Sequence, residues 1–93
     1  MTRKLQDLQH RISAARESCR VLEEQISVWS EAYEDARLRS LMAETPQSDH
    51  DLGDVRRHFD VATRERDRRT EEIRKMVQER DRLLREWSPK EVP

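Results

Sequence analysis

The sequence predicts an all-α protein, two long antiparallel helices forming a coiled-coil hairpin, and three observations carry that expectation. Apolar or small residues recur at heptad spacing from Leu5 to Ala43, a stretch without Gly or Pro. Ala, Glu, Lys, Leu and Arg make up 45 of the 93 residues, the bias of long helices and coiled coils. A helix-breaking cluster, Thr45-Pro46-Gln47-Ser48, falls near the middle of the chain.

With Leu5 as heptad position a, that row reads Leu5, Ile12, Cys19, Ile26, Tyr33 and Ser40. Position d reads Leu8, Ala15, Leu22, Trp29, Ala36 and Ala43. A repeat of 3.5 lies close to the helical 3.6, so these side chains form one slowly drifting seam that a second helix must cover. The first helix is expected over about 3–44. Thr2 is placed to cap it, and the basic Arg3 and Lys4 in its first turn oppose the helix dipole.

Pro46 has no amide donor and restricts Thr45 to extended backbone, so the first helix stops there. The turn is expected over about 45–50. Ser48 and Asp51 have the spacing of a capping box, with Asp in place of Glu, and Asp51 is a second candidate cap. The second helix is therefore expected over about 51–88, leaving 89–93, bounded by Pro89 and Pro93, as a disordered tail. Residues 1–88 form one domain.

In the second helix the heptad is less clean. Position a reads Leu52, Phe59, Arg66, Ile73, Arg80 and Trp87; position d reads Val55, Ala62, Arg69, Met76 and Leu83. A turn centred near residue 47 makes facing residue numbers sum to about 95. Phe59 is then expected opposite Ala36, Ile73 opposite Leu22, Met76 opposite Cys19, Leu83 opposite Ile12 and Trp87 opposite Leu8. Arg80 should face Ala15 and Arg66 should lie beside Trp29, their stems packed and their heads reaching water or the indole. Six acid-to-base pairs at i,i+4 support the outer faces: Asp7–Arg11, Asp35–Arg39, Asp60–Arg64, Glu65–Arg69, Glu71–Lys75 and Asp81–Arg85.

Composition excludes several functions. The 19 basic and 20 acidic residues leave a net charge of −1, which offers no global field to nucleic acid or anionic lipid. The Arg-rich row of the second helix, Arg56, Arg57, Arg64, Arg66, Arg68, Arg69 and Arg74, is interleaved with Asp60, Glu65, Asp67, Glu71 and Glu72. No aromatics alternate with it to stack bases. One cysteine permits no intrachain disulfide, and Cys19 sits in the seam as a small apolar side chain. No apolar run has the length of a membrane span or a signal segment, so a cytoplasmic location is expected. His50, Asp54 and His58 share one helix face at i, i+4, i+8. Ligands spread over two turns of one helix do not converge on one ion, so they describe a solvated polar face. No catalytic constellation can be sheltered in a two-helix seam. A non-catalytic protein without cofactor, metal or small-molecule substrate is the expectation.

Apolar residues remain outside the seam: Ala14, Val21, Val28 and Ala32 on the first helix, and Val61, Val77 and Leu84 on the second. Self-association of two hairpins into a four-helix bundle would cover such rows. An interaction or scaffold module, a homodimer or the partner of another helical protein, is therefore expected to associate through Val21, Val28, Val77 and Leu84. The tip is the second candidate surface. Between Arg39 and Arg56 there is no basic residue, whereas Glu44, Asp49, Asp51 and Asp54 are all acidic. With its hairpin outline and its Gly53-Asp54-Val55 segment, the chain resembles the coiled-coil finger of bacterial transcript-cleavage factors. That resemblance implies a regulator whose acidic tip, through Asp49, Asp51 and Asp54, enters a larger machine such as RNA polymerase.

Overall fold

In a computed structural model describing residues 2–87, the chain forms two helices, α1 (Thr2–Ala43) and α2 (Pro46–Trp87), each of 42 residues. They pack against each other along their length as an antiparallel hairpin of 74 × 17 × 15 Å. Its radius of gyration is 21.0 Å, against about 12 Å for a compact domain of this length. The expected end of the second helix at Ser88 and the tail 89–93 lie outside the described residues.

The α1 seam follows the heptad. Leu8, Ile12, Cys19, Ile26 and Ala36 are buried, and every other a or d position from Leu5 to Ser40 is half-buried; Ala43 alone is exposed. On α2, Leu83 is buried and the remaining a and d positions are half-buried, except Trp87, which is exposed. Leu8, Ile12 and Leu83 form the tightest cluster, with Leu5, Met76 and Val77 packed on it. It lies at the open end of the hairpin, hereafter its base. Thr2 lies inside α1 and is not its cap.

The turn is shorter than its sequence suggests. Helix α1 ends at Ala43, and Glu44 takes a left-handed conformation (φ 49°), its amide donating to the Ser40 carbonyl at 3.1 Å. That single bond from the residue past the helix end closes α1 without glycine. Thr45 then caps α2: its Oγ1 accepts the Ser48 amide at 3.1 Å, and its carbonyl accepts the Asp49 amide at 3.1 Å. Pro46 thus occupies the first helical position, where a missing donor is harmless and its fixed φ suits the helix. The residue that stops α1 also starts α2. The expected turn over 45–50 shrinks to Glu44 and Thr45, and neither Ser48 nor Asp51 is the cap.

This moves the register. Cys19 Sγ lies 3.9 Å from Thr70 Oγ1, Arg80 Nη1 donates to Gln9 Oε1 at 3.1 Å, and Arg69 Nη1 donates to Ser18 Oγ. Facing residue numbers therefore sum to about 89, not 95. Phe59 stacks with Tyr33 (centroids 6.0 Å) in place of Ala36, and Trp29 stacks with His58 (4.6 Å, 9° between planes) in place of Arg66. Met76 packs on the Leu8–Ile12–Leu83 cluster, Cys19 meets Thr70, and Trp87 is exposed instead of covering Leu8. The pairing slid by nearly one heptad, so the same residues stay in the seam with different neighbours. Arg66, Arg69 and Arg80 are half-buried, with their guanidinium groups on rim partners Asp67, Glu65 and Gln9.

Gly53, the eighth residue of α2, has no special backbone conformation, and a Cβ there would meet only Arg57 Nη1 at 3.8 Å. Alanine removes backbone freedom from the unfolded chain without strain. Gly53→Ala is expected to stabilise the hairpin by about 0.5–1 kcal/mol, read as a rise in melting temperature of about 2–6 °C.

Candidate interaction surface

The outer faces are laced by short-range ion pairs. Asp35–Arg39 (3.1 Å) and Glu65–Arg69 (2.9 Å) close as the spacing predicts, but Asp60 turns to Arg56, Glu71 to Arg74 and Asp81 to Arg80. The dominant unit is a fork in which one arginine bridges a glutamate three residues before it and another four residues after. It occurs as Glu17–Arg20–Glu24, Glu65–Arg68–Glu72 and Glu79–Arg82–Glu86. These pairs are exposed and individually weak; they keep the outward faces helical and hydrated.

Their hydrogen bonds still lower several carboxyl pKa values. Glu65 accepts Arg68 at 2.5 Å and Arg69 at 2.9 Å, and these hydrogen bonds bring its carboxyl down to about 2. Glu17, Glu71 and Glu79 are lowered too, each chiefly by the hydrogen bond from its arginine. A carboxyl lowered on folding stabilises the hairpin fully above its unfolded value, 4.5 for Glu65, and loses that contribution as pH falls toward the folded value. The urea midpoint should therefore fall between pH 5 and pH 2.5. Glu65→Gln, already neutral at that position, should fall by less over the same interval.

At the tip, each aspartate of interest has a local partner. Asp49 Oδ1 accepts Ser40 Oγ at 2.5 Å, tying the two helices across the turn. Asp51 Oδ1 accepts Gln47 Nε2 at 3.0 Å. Asp54 pairs with Arg57 and lies 3.3 Å from His50 Nε2. His58 is drawn away from this group onto Trp29. Among the described residues no three His, Cys, Asp or Glu side chains are grouped to hold a metal ion.

Along the shaft, Val21, Val28 and Leu84 are exposed, as is Val61. Val77 is not: it is half-buried against the base cluster and belongs to the core. Ala14 is exposed and Ala32 half-buried. Three further apolar side chains are exposed off the heptad rows. Leu38, Leu41 and Met42 are 57%, 64% and 85% exposed at the end of α1. They lie at i, i+3 and i+4, one continuous patch on the side away from the seam. The signal was the Leu41-Met42 pair in an otherwise polar segment, off the a and d positions.

Shallow grooves lie among the described residues. One of about 520 Å³ runs along α2 among Lys75, Gln78, Glu79, Asp81, Arg82 and Arg85. Another, of about 590 Å³, lies between Arg11 and Ala14 of α1 and Glu72, Lys75 and Met76 of α2. A third, about 230 Å³ and largely apolar, lies at the base between Thr2, Leu5, Gln6 and Gln9 of α1 and Arg80 and Leu84 of α2. No described helix is long and apolar enough to cross a membrane. Comparison with family models, with curated proteins and with solved structures returned no match.

Proposed function

We propose that the hairpin is a non-catalytic interaction or scaffold module that self-associates through the apolar side chains outside its seam. One observation carries this. Six apolar residues are buried, whereas eight large ones, Val21, Val28, Leu38, Leu41, Met42, Val61, Leu84 and Trp87, are exposed. The accessible surface is 7208 Å² for 11.2 kDa, about 1,500 Å² above that of a compact chain of this mass. A standard interface takes about 800 Å² from each partner, so a second hairpin is large enough to cover the excess. A homodimer is favoured because closed two-fold assemblies are the commonest.

The resemblance to transcript-cleavage fingers supplies a different role, insertion of the acidic tip into a larger machine. Asp49, Asp51 and Asp54 each hold local partners, which is the ordinary work of acidic residues near a helix start, so the shaft and its apolar patches are the better-supported surface. Sedimentation equilibrium across a wide concentration range tests the proposal. A dimer mass that persists in high salt supports apolar association. A monomer at the highest concentrations overturns self-association.

A further inference from the structure

The two ends of the hairpin are complementary. The tip carries the exposed knob Leu38, Leu41 and Met42, and residues 34–55 hold six acidic side chains against two basic ones. The base carries the apolar groove between Leu5, Gln9, Arg80 and Leu84, and residues 2–11 and 80–87 together hold six basic side chains against three acidic. An acid-rimmed knob and a base-rimmed socket match in both apolarity and charge.

They also lie on the same side of α1. Thr2 and Leu38, Leu5 and Leu41, and Gln6 and Met42 are each 36 residues apart, about ten turns of a straight α-helix, so each pair shares an azimuth about the α1 axis. The seam drifts around that axis and leaves Leu5 against the core but Leu41 exposed. The axial separation is about 54 Å, so no hairpin can fill its own socket with its own knob. Val21, Val28, Leu38 and Met42 fall within an arc of about 100° on a 3.6-residue wheel, an arc they share with the Glu17–Arg20–Glu24 fork.

We infer that two copies pair side by side in antiparallel orientation, each seating its Leu38–Leu41–Met42 knob in the Leu5–Arg80–Leu84 socket of the other. This rests on the self-association proposed above and adds its geometry. A two-fold axis near the middle of α1 satisfies both contacts at once and leaves neither end free to recruit a third copy. It also brings Arg16 opposite Glu31 of the second copy. The parallel alternative sets two acidic tips together and leaves both sockets open.

Distances between spin labels on the full chain test this. In a Cys19→Ala background, one label is placed at the tip (Gln47→Cys) and, in a separate variant, one at the base (Asp7→Cys). Antiparallel pairing predicts about 55–60 Å between two tip labels, and less than about 30 Å between tip and base labels when the two variants are mixed. Two tip labels within about 30 Å mean a parallel dimer and overturn the inference while leaving self-association standing. A monomer overturns both. Leu41→Glu with Met42→Glu, two exposed positions, should raise the dimer dissociation constant at least tenfold with helicity unchanged by circular dichroism. An unchanged dissociation constant removes the knob from the interface.

Discussion

Ile12→Ala is expected to be the most damaging single truncation in the chain, lowering the free energy of unfolding by about 3 kcal/mol. Ile12 is fully buried and sits among Leu8 and Leu83, the only place where three buried side chains meet across the described hairpin. Alanine there removes transfer free energy and leaves a cavity that two rigid helices do not readily collapse to fill. A hairpin that buries so few residues has little stability in reserve. Urea titration followed by circular dichroism measures the change. A loss under about 1 kcal/mol would mean that the base cluster is not the centre of stability.

The second large effect is on assembly. Val28→Glu with Leu84→Glu is expected to raise the dimer dissociation constant about 100-fold, or about 2.7 kcal/mol, while helicity stays near that of the parent chain. Both side chains are exposed in the single hairpin, so glutamate disturbs the fold little. In an interface each would bury an unpaired carboxylate. Asn at Asp49, Asp51 and Asp54 should weaken the dimer no more than severalfold, because these exposed carboxylates have local partners and charges at an interface rim add little affinity. Sedimentation velocity on both variants checks the pair of outcomes. Dissociation by the tip variant, or persistence of the shaft variant as a dimer, would reverse the assignment of surfaces.

Much of the fold was legible in the residues, because periodicity records which side chains must be covered. From Leu5 to Ser40 every a and d position is buried or half-buried. Which residues face one another was not legible. A heptad seam looks the same after a slide of seven residues, so only the turn fixes the pairing. There the decisive facts were conformational: Glu44 accepts a positive φ, and Pro46 serves as a first helical residue. Neither is written in hydrophobicity. The exposed apolar side chains were half legible for a related reason. Val21, Val28 and Leu84 project outward as their spacing implies, but Val77, next to the d position Met76, lies at the seam edge against the base cluster, and Leu38, Leu41 and Met42 lie beyond the periodic rows.

The two-residue turn has a consequence for how the chain finds this structure. Contacts across the hairpin span more sequence the farther they lie from Glu44 and Thr45: nine residues for Ser40–Asp49, 71 for Gln9–Arg80. Closing the longer loop first costs about 2 kcal/mol more than closing the shorter one. The chain is therefore expected to zip from its polar tip, on microsecond-to-millisecond timescales, although its best-packed contacts lie at the far end. Substitutions at the base then fall after the rate-limiting step and chiefly hasten unfolding. Substitutions at Thr45 or Asp49, by contrast, slow the first closure and so govern how long both apolar stripes stay uncovered in the newly made chain.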